Sequence, residues 1–276
     1  MIIRDCLNKT FHILTENSID DAWLESEVLV RHILNYDRVM LYQNIEQKFP
    51  SDKLSTLESV INRRIKGEPS AYITNHKEFY GLEFYVNSDV LIPRPETEHL
   101  VEKALSVTQQ YEHPVIADIG TGSGAIAISL ATSLPSAKFF AVDISFDTLK
   151  IADINCHRHK VHERISLLCG NLLEPLPVKA DIIAANLPYV KKEDIHADSC
   201  EPRPALDGGE DGLDVIRLLC QQVEAKINIG GHLLLEIGLG QKDSVVGMLK
   251  EIDSVKDIEV IPDLSGIDRI ICASFI

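Results

Sequence analysis

The chain has 276 residues, 45% of them hydrophobic, enough for a full core or for one large and one small domain. Its 42 acidic residues outnumber 27 basic ones for a formal charge of -15, which tilts against a protein whose main affinity comes from neutralising phosphates. No apolar run approaches the roughly 18 to 20 residues of a membrane span, and no two of the six cysteines form a CxxC pair, so they read as reduced, mostly buried thiols.

The opening residues, Met1 to Ser18, are too polar for a signal peptide and show no small-residue cleavage site. The expectation is a cytoplasmic protein. The first 66 residues read as all-helical. "SIDDAWLESEVLVRHILN" begins with Ser18 and Asp21 at capping-box spacing and then turns apolar. In "SDKLSTLESVINRRIKGEP" Ser51 is the expected N-cap, Leu54, Leu57, Val60, Ile61 and Ile65 share one face, and Gly67 and Pro69 supply the stop. A small helical N-terminal domain over residues 1–72 follows.

"EFYGLEFYVNSDVLIPRPETE" changes character. Aromatic and β-branched residues broken by Gly81 and by Asn87-Ser88-Asp89 predict a β-hairpin. Pro93 and Pro95 end the extended part, and Glu96 to Val107 reads as a helix. Residues 73–95 are taken as the linker, and residues 96–276 as the second domain.

From Val115 strands and helices alternate. The strands are "VIADI", "KFFAVDI", "ISLLCG", "DIIAAN" and "HLLLEIG", with helices such as "GAIAISLATSL" and "GLDVIRLLCQQVEAKI" between most of them. Continuous apolar strands alternating with helices mean a parallel sheet covered on both faces. The last two strands, "DIEVIPD" and "DRIICASFI", are joined only by "LSGI", too short for a parallel crossover, so that pair is antiparallel. The fold class is α/β, Rossmann-like, with a mixed sheet.

"DIGTGSGAIAISLA" is a strand end, a glycine loop and a helix. Gly120, Gly122 and Gly124 let the backbone turn tightly and approach a ligand. Asp143, about 20 residues further on at the end of the next strand, is placed to accept hydrogen bonds from both ribose hydroxyls. The G-x-G-x-G spacing favours a single adenosyl ligand over a nicotinamide dinucleotide. Asp118 either orients the loop or meets the ligand's charged end. Asn171 and Leu172, after the third strand, reach the same cleft.

The fourth strand ends in "NLPY". Ligands of doubly wound sheets bind beyond the carboxyl ends of the strands, so Asn186, Leu187, Pro188 and Tyr189 point into the ligand cleft. A planar NH2 group is a poor nucleophile because its lone pair is delocalised. Acceptors on both of its N–H bonds, the Asn186 side-chain oxygen and a backbone carbonyl, stabilise the positive charge that builds as it attacks. Tyr189 can stack on the planar group, and Pro188 stiffens the loop. "CHRHKVHERI" fits no standard metal spacing, and no metal is expected. "KKEDIHADSCEPRPALDGGEDG" is a long connection able to cover the site as a lid.

These residues resemble the HemK/PrmC methyltransferases. The likeness rests on "EFYGLEFYVNSDVLIPRPETE", "DIGTGSGAIAISLA", "AVDIS", "NLPYV", "EPRPALDGGEDGLDVIR", "GGHLLLEIGLGQ" and "DLSGIDRII", nearly the whole chain. The resemblance implies a seven-strand class I methyltransferase domain that takes S-adenosyl-L-methionine as cofactor. It implies methylation of the glutamine of the Gly-Gly-Gln motif in class 1 peptide-chain release factors, with no membrane and no direct nucleic acid partner. Gly120, Thr121, Gly122, Ser123, Gly124, Asp143, Leu172 and Asn186 would contact the cofactor. Asn186, Leu187, Pro188 and Tyr189 would hold the substrate amide and carry catalysis. The N-terminal domain would help dock the release factor. Pro93, Arg94, Glu96 and Thr97 fall in a family motif at the cleft edge. The chain departs from the family at Leu187, where proline is commonest, at Asn171, where Asp is frequent, and at Asn75, where glycine is common. Two other functions remain open: methylation of an exocyclic adenine amino group in DNA or RNA, and a methyltransferase fold kept as a non-catalytic binding module.

Overall fold

A computed structural model describes residues 1–197 and 199–276. Asp198, one of the acids of the expected lid stretch, lies outside the described residues. The chain forms two compact units, Met1–His76 and Lys77–Ile276.

The smaller unit contains helices α1 (Ile3–Glu16), α2 (Ala22–Leu34), α3 (Arg38–Gln43), α4 (Leu54–Ile65) and α5 (Ser70–Thr74). Leu7, Leu14, Leu29, Leu41, Val60 and Ile61 belong to its buried core. Gly67 ends α4 as expected. At φ +98 it lets its own N–H reach Arg64 O and that of Glu68 reach Arg63 O, the paired bonds of a Schellman stop.

Two expected caps are corrected. Ser51 opens a 3-10 turn, Ser51–Lys53, and no side chain caps α4. Ser18 does not open α2. It ends α1 in the left-handed region, φ 57, while the Ile19 N–H returns to Leu14 O. The spacing mimics a capping box, but the preceding helix needs a left-handed stop first, and Ser18 fills it. Asn75 is also left-handed, φ 52, at the end of α5. This explains why glycine suits that position.

The larger unit opens with hairpin β1 (Lys77–Phe79) and β2 (Leu82–Phe84), paired antiparallel around Tyr80 and Gly81, both at positive φ. The hairpin and the chain after it are tied to the body of this unit. Tyr80 N–H donates to Glu98 Oε1, and Thr148 Oγ1 donates to Asp89 O. Pro95–Thr97 forms a 3-10 turn that leads into α6 (Glu98–Thr108).

The sheet then follows in chain order: β3 (Val115–Ile119), α7 (Ala125–Ser133), β4 (Lys138–Asp143), α8 (Phe146–Arg158), β5 (Ile165–Cys169), β6 (Ala180–Ala185), α9 (Asp214–Lys226), β7 (Ile227–Glu236), α10 (Lys242–Lys250), β8 (Val255–Pro262) and β9 (Asp268–Phe275). Strand order is β5-β4-β3-β6-β7-β9-β8, with β9 antiparallel to both neighbours. The expected antiparallel final pair is present. β3 and β6 are almost wholly buried, as central strands covered on both faces must be. From β3 the chain winds outward to β5, then returns to the other side of β3 as β6. The switch point therefore lies between β3 and β6, at their carboxyl ends.

Candidate active site

A cavity of about 540 Å³ opens at that switch point. Its wall includes Gly120, Thr121, Gly122 and Ser123 after β3, Asp143 after β4 and Leu172 after β5. Asn186, Leu187 and Pro188 after β6 close one side. Of the residues expected from sequence to hold cofactor or substrate, these nine come together, and Asn171, also expected in the cleft, lines it beside Leu172. Gly124 and Tyr189 stand behind the lining.

The glycine loop is held from below. Asp118, buried in β3, accepts from Thr121 Oγ1 at 2.6 Å and from Ala127 N at 3.1 Å, both through Oδ2. It therefore orients the loop and the first turn of α7. Its Oδ1 is buried without a partner, and burial pushes its pKa up to about 6. Gly124, at φ +83, packs so tightly that a Cβ would lie 2.9 Å from Ile128 Cδ1. A third support is Asn155 in α8, fully buried. Its side chain bonds Tyr85 N, Tyr85 O and Ser123 O, joining the strand after the hairpin turn to the glycine loop.

Asp143 accepts from Gly122 N and from Ser145 N, at 3.0 Å each, one on each oxygen. A carboxylate offers about four acceptor sites, so two remain for a ligand. Burial raises its pKa.

Asn186 donates from Nδ2 to Thr97 Oγ1 at 3.1 Å. No hydrogen bond reaches its Oδ1 among the described residues. Tyr189 turns away from the cavity and donates to Glu236 Oε1 at 3.2 Å. Its backbone carbonyl accepts from Gln241 Nε2, which also donates to Gly212 O. The stretch expected as a lid divides in two. Pro202, Pro204, Ala205 and Asp207 line the cavity. Gly208 to Gly212 backs the tetrapeptide instead: Val190 bonds Leu206 O and Gly208 N, and a Cβ on Gly212 would stand 2.5 Å from Tyr189 O. Arg94, another wall residue, pairs with Glu201, whose Oε1 also accepts from Ile92 N. Sequence reasoning left Thr97 without a role and passed over Glu236, Glu201, Asn155 and Gln241. Glu236 had a readable signal, a lone acid at the end of the apolar run "HLLLE".

Among the described residues no group of three or more His, Cys, Asp or Glu side chains is placed to hold a metal, and no helix is long and apolar enough to cross a membrane. His157 stacks on His162, and the His159 ring meets Glu83 O.

The strand order, the glycine loop and the acid ending β4 define a Rossmann-like class I methyltransferase. Solved structures share this fold. A methyltransferase from Pyrococcus furiosus aligns with TM-score 0.53 and 15% identity, covering 80% of this chain and 98% of that one. A ribosomal protein L11 methylase from Lactobacillus delbrueckii subsp. bulgaricus aligns with TM-score 0.50 and 21% identity, covering 69% and 83%. Residues 5–74 match the model of the PrmC N-terminal domain, and residues 95–188 that of ribosomal protein L11 methyltransferase (PrmA). Similarity over nearly full length is more specific. A release factor glutamine methyltransferase of Geobacter sulfurreducens is 39% identical over 98% of this chain and 95% of its own length. Those of Moorella thermoacetica and Koribacter versatilis are 38% and 40% identical, covering 98% and 90% of this chain and 97% and 89% of their own lengths. The chain belongs to the release factor glutamine methyltransferase family, and it is an enzyme of methyl transfer.

Proposed function

We propose that this enzyme transfers a methyl group from S-adenosyl-L-methionine to the side-chain amide nitrogen of the glutamine in the Gly-Gly-Gln motif of class 1 release factors. The observation that carries the reading is the Asn186 amide. Its NH2 end is occupied by Thr97, so its oxygen is the end left for a substrate N–H.

The cavity fits the cofactor. Where a Gly122 side chain would stand the nearest neighbour is the Gly120 carbonyl oxygen at 4.0 Å, so its backbone is accessible to a ligand. Asp143 keeps acceptor sites for ribose hydroxyls, and Leu172 and Leu187 give apolar walls against which a flat base can lie. Gly120, Thr121, Ser123 and Gly124 shape the loop, with Gly124 acting through packing. Bound there, S-adenosyl-L-methionine supplies a methyl group made electrophilic by its sulfonium.

Asn186 Oδ1 and the Leu187 carbonyl accept the two N–H bonds of the glutamine amide. Both bonds strengthen as positive charge builds on nitrogen, so they stabilise the transition state more than the ground state. Pro188 restricts Leu187 to extended geometry, which fixes its carbonyl. Leucine has the same carbonyl as proline, so the family departure at this position keeps the acceptor. Tyr189, expected to stack on the amide, instead stands behind the cavity wall, where its hydroxyl bond to Glu236 and its carbonyl bond to Gln241 hold the tetrapeptide in place. As the N–CH3 bond forms and the S–CH3 bond breaks, the amide nitrogen becomes cationic and acidic and then releases its proton to water, so no general base is needed before attack. The helical unit helps to dock the release factor, and the setting is cytoplasmic.

Incubation of the pure protein with labelled S-adenosylmethionine and either a release factor or nucleic acid tests the reading. Label on the release factor, lost when the Gly-Gly-Gln glutamine is replaced, is expected. Label on nucleic acid alone, or cofactor binding without transfer to either, overturns it.

A further inference from the structure

The wall of the cavity is acidic. Asp89, Asp143, Asp147 and Asp207 line it, and Arg94 is its one cation among the described residues. Arg94 is anchored. Its guanidinium donates to Glu201 Oε2, and Glu201 is fixed in turn, because its Oε1 accepts from Ile92 N at 3.1 Å. That bond leaves the rest of the guanidinium fork without an acceptor among the described residues, and the side chain stays 41% exposed. The backbone fixes where this side chain starts. Thr97 N returns to Arg94 O at 3.1 Å, and Thr97 Oγ1 accepts from Asn186 Nδ2 at 3.1 Å. Arg94 therefore sits on the turn that meets the end of β6. Asp143 and Leu172 lie on the other side of β3, after β4 and β5.

We propose that Arg94 binds the carboxylate at the methionyl end of S-adenosyl-L-methionine, with Glu201 holding the guanidinium in place. The proposal rests on the reading of the cavity as the cofactor site. That cofactor carries a sulfonium, an ammonium and one carboxylate. The acids of the wall suit the two cationic groups and repel the carboxylate, so the carboxylate needs a counter-charge. A glycine loop at a helix N-terminus is the usual place for an anion, but this one offers little. Its N–H groups are largely spent within the protein: those of Gly120 and Thr121 on Val142 O, that of Gly122 on Asp143 Oδ2 and that of Gly124 on Thr121 O. The strand order agrees. A ligand with its ribose on Asp143 and its base beside Leu172 runs across β3 toward Asn186, and Arg94 stands at that end. A guanidinium pairs with a carboxylate through parallel N–H···O bonds. Glu201 takes one edge of it, at Nη2, and leaves the others for the ligand. In a cavity lined by Pro202 and Pro204 such a pair is screened less than in open water.

The test is titration calorimetry on the full chain, with no release factor present. The ligands are S-adenosyl-L-methionine and its decarboxylated form, which lacks the carboxylate alone. The wild type should bind the decarboxylated form roughly 10- to 100-fold more weakly, the usual range for a bond to a charged group. Arg94→Gln should weaken S-adenosyl-L-methionine binding by a similar factor. It should not weaken binding of the decarboxylated form, because removing a cation costs a more cationic ligand nothing. Arg94→Lys keeps the charge and loses the fork, so its affinity for S-adenosyl-L-methionine should fall between those of the wild type and Arg94→Gln. Equal wild-type affinity for the two ligands overturns the proposal and needs no variant to fold. An equal loss for both ligands in Arg94→Gln also overturns it, since a general disturbance of the cavity would act on both. A wild type that shows the expected affinities but never methylates a release factor supports the Arg94 assignment and contradicts the functional reading. A wild type that binds neither ligand overturns both.

Discussion

Leu187 Cδ2 lies 3.2 Å from the point where a Cβ on Gly120 would stand. The loops after β3 and β6, the two strands at the switch point, thus meet through a side chain that one of them lacks. Gly120 is also left-handed, at φ +73. Alanine there would face two separate costs: a contact with Leu187 and a strained backbone worth about 1–2 kcal/mol. Gly120→Ala is expected to weaken cofactor binding and to lower thermal stability. Adding Leu187→Ala should relieve the contact but leave the backbone strain. Titration calorimetry and melting curves check this, and full recovery in the double variant would show that the backbone contributes nothing.

Asn186→Ala should lower methyl transfer by roughly 10²–10³-fold, the usual effect of losing one positioned hydrogen-bond partner of a developing charge. Cofactor binding should stay measurable, because the adenosyl contacts are assigned to Asp143 and the glycine loop. Single-turnover transfer and equilibrium binding, measured on the same preparation, separate the two. Normal transfer in this variant refutes the assigned role.

Asn155→Ala should destabilise the larger unit. It leaves Tyr85 N, Tyr85 O and Ser123 O without their side-chain partner. Each buried group left unsatisfied costs about 1–3 kcal/mol. A fall of several degrees in the unit's melting temperature is expected, with looser cofactor binding because Ser123 belongs to the loop. Asn155→Asp should not rescue, since a carboxylate cannot donate to the two carbonyls. A melting curve equal to the wild type's contradicts this.

Asp118 gives a pH signature. Its folded pKa, about 6, lies above the ordinary value of 3.8. The folded protein holds a proton that the unfolded chain releases. The group's favourable contribution is therefore complete below about 3.8 and is lost as pH rises through about 6. The amplitude is at most about 3 kcal/mol, at 1.36 kcal/mol per unit. The Asp118→Asn side chain would carry no such titration while keeping an acceptor for Thr121 and Ala127. The stability of Asp118→Asn relative to wild type should thus rise between about pH 4 and about pH 6 and then level off. Chemical denaturation across that range measures it, and a difference that stays flat or falls rejects the account.

Much of this was legible in the sequence. The alternating apolar runs marked each strand of the large sheet, and the short "LSGI" loop set the antiparallel end. The carboxyl-edge rule put Asn186 in the ligand cleft, and the β3–β6 pairing sets it beside the glycine loop. What stayed hidden was cross-chain polarity. Thr97 precedes Asn186 by 89 positions, and the Asn155 bonds to Tyr85 span 70. Periodicity reports which face is buried, not which distant amide a hydroxyl will meet. Ser18 shows the converse problem, since one short polar residue suits both the end of one helix and the start of the next.

The central claim is that the acceptor is a glutamine side-chain amide, held by Asn186. Tandem mass spectrometry of a release factor treated with the enzyme and S-adenosylmethionine tests it most directly. The account predicts one added methyl group, located on the side chain of the Gly-Gly-Gln glutamine, at a strongly reduced level with the Asn186→Ala enzyme. A methyl group on any other residue, or an undiminished yield from that variant, would contradict it.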